Sequence, residues 1–127
     1  MVDITIDNLI RIDRETEVIH EEFTGDYHEK NGSHFLVYQN ELDEKVVMKY
    51  DHEMLTITRF SAPSTIIKLH PKVSTQAVIT TPVGPQVFDV KTKKHETIPE
   101  GFKTDYEFWQ GDTKIAQYAL SVCFEEE

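Results

Sequence analysis

Arg59 is the residue of this chain whose chemistry is most readily tied to a task. In the run Met54-Leu-Thr-Ile-Thr-Arg-Phe60 the two-residue period of a strand sets Leu55, Ile57 and Arg59 on one face and Thr56, Thr58 and Phe60 on the other. A guanidinium directed into a low-dielectric interior requires an anion, and a ligand carboxylate or phosphate can supply it through paired hydrogen bonds. The plainer reading sets Arg59 at a barrel end against one of the chain's many carboxylates, because buried charges are usually paired structurally. Thr58, Thr80, Tyr106 and Tyr118 would add hydroxyls to an apolar lumen if they face inward, with Arg59 and Phe88 near the bound ligand. These six residues form the candidate ligand-binding set. A packed core whose hydroxyls bond one another or the backbone is the competing expectation.

The remaining reactive side chains assemble no catalytic pattern. Of the histidines His20, His28, His34, His52, His70 and His95, His20 lies two residues from Glu22 on one strand face, a spacing that can present two ligands together. The sequence has no His-Glu-x-x-His, no Cys/His pairing and no third ligand at a suitable spacing, so no metal site is expected. His28, His34 and His52 fall in or beside turns, where solvation is expected. Cys123, between Val122 and Phe124, reads as a small buried hydrophobe. No Gly-x-Ser-x-Gly elbow occurs, and Asp105 and Glu107 share a face with Lys103 and Trp109, as a solvated surface would. The expectation is a protein that is not an enzyme and needs no cofactor.

The elements that must carry these residues alternate with period two and show no convincing helical period. Val2, Ile4, Ile6, Ile10 and Ile12 face one way, opposite Asp3, Thr5, Asp7 and Arg11, as in a half-buried strand. Thr16 to Tyr27 follows, with Ile19, Phe23 and Tyr27 on one face. Lys30-Asn31-Gly32-Ser33 is a strong hairpin signal; its Asn-Gly-Ser also fits the glycosylation pattern, but without a signal peptide the turn reading stands. His34 to Gln39, Lys45 to Tyr50, Met54 to Phe60 and Thr65 to His70 continue an antiparallel meander, with Ser61-Ala62-Pro63-Ser64 as one connection. Gln76 to Glu96 reads as one long strand bent by Pro82, Gly84 and Pro85 so that the sheet turns back on itself. Phe102 to Trp109 and Thr113 to Phe124 complete the meander, with Phe102, Thr104, Tyr106 and Phe108 on one face and Ala116, Tyr118, Leu120, Val122 and Phe124 on one face. An open sheet this large tends to curl or split, so the expected fold is all-β, a closed antiparallel up-and-down barrel of about eight to ten strands.

Composition narrows the partners. The 127 residues include 23 acidic and 13 basic side chains, a net charge of -10, which would repel nucleic acid and anionic membranes. No apolar run reaches the roughly 18 residues of a membrane span. A single domain over 1–127 is expected. The first residues lack an apolar h-region, and one cysteine cannot form an internal disulfide, so a cytoplasmic setting is expected.

Met54-Leu-Thr-Ile-Thr-Arg-Phe60, then Pro82-Val-Gly-Pro85 with Phe88-Asp-Val-Lys-Thr92, then Tyr118-Ala-Leu-Ser-Val122 resemble, in order and spacing, the YwiB-like proteins, small bacterial proteins of unknown function. The resemblance covers nearly the whole chain. It implies a calycin-type barrel related in fold to lipocalins and fatty-acid-binding proteins, and it carries no reaction, ligand or catalytic residue with it. The Gly-x-Trp pattern of secreted lipocalins is missing near the N-terminus. Two functional classes follow: a module binding a small, partly apolar and perhaps anionic ligand in the barrel, or a packed structural or interaction protein. One version of the latter is a homodimer built on the outer face of a strand such as Lys45 to Tyr50, where Val47 lies.

Overall fold

The computed structural model describes residues 1–61 and 64–127. Ten strands cover the chain: β1 (Val2–Ile12), β2 (Glu15–Lys30), β3 (Ser33–Gln39), β4 (Lys45–Tyr50), β5 (Leu55–Phe60), β6 (Thr65–Leu69), β7 (Thr75–Thr81), β8 (Gly84–Ile98), β9 (Gly101–Gln110) and β10 (Thr113–Glu126). They form one sheet in the order β6-β5-β4-β3-β2-β1-β10-β9-β8-β7, and every neighbouring pair is antiparallel. The sheet curls into a nearly closed calycin-like barrel. Its two end strands, β6 and β7, are consecutive in the chain and meet at a seam where the Thr75 hydroxyl donates to the Lys68 carbonyl and His70 bridges Val73.

Local chemistry explains the tight reversals. Asn31 (φ 54) and Gly32 (φ 81) both lie in the left-handed region, as the two central residues of a type I′ turn must, and the turn's twist matches that of β2 and β3. The expected bent strand over Gln76–Glu96 is instead two strands. Thr81 pairs with Gly84 and Thr75 with Val90, so the chain reverses fully at Pro82-Val83. Proline fixes φ for the first turn position, and Gly84 at φ 108 supplies the backbone that lets β8 leave antiparallel to β7. Proline and glycine in a β-rich run thus mark a hairpin here and not a corner, which raises the strand count to ten. Of the connection Ser61-Ala62-Pro63-Ser64, residues 62 and 63 lie outside the described residues.

Burial divides the barrel across its length. The turns β2–β3, β4–β5, β6–β7 and β8–β9 share one end, and there the interior is filled: Ile4, Leu36, Leu55, Val90, Phe102 and Val122 have no exposed surface. Aromatic rings interlock in the same half, with Tyr50 and Phe102 at 4.6 Å and Tyr27 and Phe124 at 4.3 Å between centroids. His95 ties this end together. Its Nε2 lies 2.8 Å from the Asp51 carbonyl and its Nδ1 2.7 Å from Thr104 Oγ1; in the neutral ring Nε2 therefore donates and Nδ1 accepts. His34, expected to be solvated beside its turn, is stacked on Tyr50 at 4.8 Å and shares a 2.7 Å hydrogen bond with the Tyr27 hydroxyl. Its strand position turns the ring inward over the aromatic cluster.

Candidate functional site

The opposite half of the barrel is hollow. A cavity of about 510 Å³ opens at the end that carries the β1–β2, β3–β4, β7–β8 and β9–β10 connections, a size within the range of small-molecule sites. Its apolar wall comes from inward positions of successive strands, among them Ile6, Met48, Ile57, Ile67, Ile79 and Leu120. Aromatic rings line one side: Tyr106 and Tyr118 stack at 4.7 Å, and Phe88 stacks on Phe108 at 5.3 Å. A β-bulge in β10 between Lys114 and Ala116 breaks the alternation, so that the consecutive residues Ile115 and Ala116 both line the cavity.

Polar groups are few. Tyr38 and Tyr106 are buried, Tyr118 half-buried, and none of their hydroxyls has a hydrogen-bond partner among the described residues. Burial raises the pKa of all three, so the phenols stay protonated and able to donate. Asn8 also lines the cavity, and its buried Oδ1 has no hydrogen-bond partner among the described residues. At the rim, Glu21 is half-buried; desolvation and then the nearby Glu41 carboxylate raise its pKa.

Arg59 takes the plainer of its two arrangements. It lines the cavity mouth, but its side chain is 48% exposed and Nε lies 3.8 Å from Glu44 Oε1. Glu44 is held in turn by Asn40, whose Nδ2 donates to Glu44 Oε1 over 3.1 Å while Oδ1 accepts from the Leu42 and Glu44 amides. The guanidinium charge is therefore met from within the protein. Phe88, Tyr106 and Tyr118 join Arg59 around the same cavity. Thr58 and Thr80 do not. Ile57 and Ile79 occupy the inner row, and strand parity sends Thr58 outward between Val47 and Ile66 and leaves Thr80 exposed on the outer face.

The same parity corrects two other expectations. Cys123 points to the outer face and is partly exposed, because Val122 and Phe124 take the inner positions. Glu107 lies on the outer face but its side chain is only 12% exposed, enclosed by Lys93, Lys114 and the Trp109 indole, which donates to it over 3.0 Å. Residues missed in the sequence divide by cause. Glu21 and Asn8 carry the inward parity of Phe23 and Ile6, so alternation contained the signal; Ile115 reaches the cavity only through the bulge.

His20 belongs to the outer face, 2.5 Å from Asp7 Oδ1 and 3.9 Å from Glu22 Oε1, and among the described residues no three such ligands gather around a metal-sized site. The Asp7 hydrogen bond and charge raise its pKa above the usual 6.5. An NMR titration should place the His20 midpoint above 6.5 and Asp7→Asn should return it toward that value. The sign follows from the raised pKa: the pair contributes below the unfolded value and is lost as pH rises through the folded one. A midpoint unmoved by Asp7→Asn would break the assignment.

The chain matches, over residues 4–122, the family described as "Domain of unknown function (DUF1934)". Among solved structures it is similar to the ywiB protein from Bacillus subtilis, with a TM-score of 0.73 and 18% sequence identity over 98% of this chain and 91% of that one, a likeness of fold. No curated protein matches it. No helix of the described residues is long and apolar enough to cross a membrane.

Proposed function

We propose that this chain, which belongs to the DUF1934 family, binds one small, partly apolar molecule in the open half of its barrel. The observation that carries this reading is the contrast between the two halves: one is packed shut, while the other holds a cavity of about 510 Å³ edged by unpartnered phenols. A packed structural core gains by filling such space, since empty volume costs stability. A ligand completes the lumen and gives the tyrosine hydroxyls their partners. Among the described residues that line the cavity there is no Ser, Cys, His or Lys, and our reading is therefore one of binding. The single cysteine is in keeping with a reducing, cytoplasmic setting.

Native mass spectrometry of the gently purified protein should show a stoichiometric extra mass that organic extraction releases. Ala116→Phe, which projects a ring into the cavity from the buried Ala116 position, should weaken retention about tenfold or more. A bare polypeptide mass, together with an Ala116→Phe variant that takes up added ligands as well as the parent, would sink the reading. A homodimer is the second reading. It rests on Val78 and Val87, a cross-strand pair on the outer face whose members are each 53% exposed; the same spectrum at raised concentration distinguishes monomer from dimer.

A further inference from the structure

We infer that the ligand of this barrel is an amphiphile with a cationic head, its apolar body in the aromatic half-barrel and its ammonium or protonated amine at the mouth between Glu21 and Glu41. The inference rests on the ligand-binding reading and adds the sign of the head group. Three observations carry it. The lining holds one guanidinium, Arg59, and two carboxylates, Glu21 and Glu41. Arg59 is already paired with Glu44, whereas neither Glu21 nor Glu41 forms an ion pair among the described residues. Between these carboxylates and the apolar interior stands Tyr38, 8% exposed, whose hydroxyl faces the cavity without a partner.

The electrostatics of the rim agree with the geometry. Burial and then the Glu41 carboxylate disfavour the charge on Glu21, and after burial both carboxylates act on the Tyr38 phenol in the same direction. An anionic head would meet two unpaired carboxylates and a guanidinium already neutralised. A cation would relieve the repulsion, and the face of Tyr38 turned away from its stacking partner Phe23 would add cation–π attraction. The net charge of -10 favours the approach of cations, although at physiological salt only charges within about 8 Å retain much influence.

Titrating the full chain with decyltrimethylammonium, decanol and decanoate, the two ions below their micellar concentrations and the alcohol below its solubility limit, at physiological ionic strength, separates the claims. The expected order is ammonium tightest, by about tenfold over the alcohol, with decanoate weakest. In the double variant Glu21→Gln/Glu41→Gln the ammonium-to-alcohol ratio should fall to within about threefold. Binding of none of the three would overturn the cavity reading itself. Decanol binding with decanoate equal to or tighter than the ammonium would overturn the cationic head alone. A preference for ammonium that survives both Gln substitutions would show that the overall charge, and not this pair, selects the ligand, and would also overturn the assignment.

Discussion

Gly101→Ala should destabilise the protein by roughly 3 to 5 kcal/mol, as the sum of backbone strain and steric overlap. Gly101 opens β9 at φ 149, and a Cβ there would stand 1.9 Å from the Val122 carbonyl oxygen and 2.9 Å from its carbonyl carbon. Those atoms are backbone of β10, held in the ladder by Cys123 opposite Gly101 and by the Phe124 amide bonded to the Glu100 carbonyl at 2.9 Å. Relief would require two strands to separate where the packed half of the barrel begins. Gly84→Ala is the control. Gly84 also has a positive φ, 108, but a Cβ there meets nothing within 4 Å, so only the conformational term of about 1 to 2 kcal/mol applies. Urea unfolding of both variants gives the comparison. Equal losses would mean that the close approach of β9 and β10 at Gly101 does not exist in solution.

Phe102→Ala should cost about 3 to 5 kcal/mol, whereas Phe88→Ala should cost about 1 to 2 kcal/mol. The two residues have the same chemistry and opposite ends of the barrel. Phe102 is fully buried and packs on Tyr50 and His95, so truncation removes contacts on every side and leaves a void. Phe88 is half-buried and already borders the cavity, with Phe108 its one ring partner. Removing it enlarges an existing space and forfeits fewer contacts. Comparable losses for the two would refute the division of the lumen into a filled and a hollow half.

Much of the fold was legible before any coordinates. Lys45 to Tyr50 matches β4 at both ends, and the faces read for β9 and β10 are the buried ones, because a half-buried strand writes its orientation into alternate residues. The Asn31-Gly32 reversal was equally plain, since few residues besides these tolerate two successive left-handed conformations. The hairpin at Pro82-Val83 was not. Proline and glycine announce a departure from the ladder, but the angle of that departure depends on whether β7 and β8 gain more by pairing with each other than by running on.

The site was less legible for the same kind of reason. Alternation establishes that Arg59 and Thr58 face opposite ways, and it cannot say which way is in, because exchanging the two faces of a strand leaves the pattern itself unchanged. Packing of Ile57 and Ile67 against the core decided that. An antiparallel all-β chain, most strand limits and the sets of residues that share a face can all be read from residue order, because they follow from the backbone's two-residue period. Closure of the barrel is what fills one half of the lumen and leaves the other open, brings Glu44 to Arg59, and sets Glu21 and Glu41 together at the mouth. These depend on distances between residues far apart in the chain, which close only when ten strands curl into one barrel.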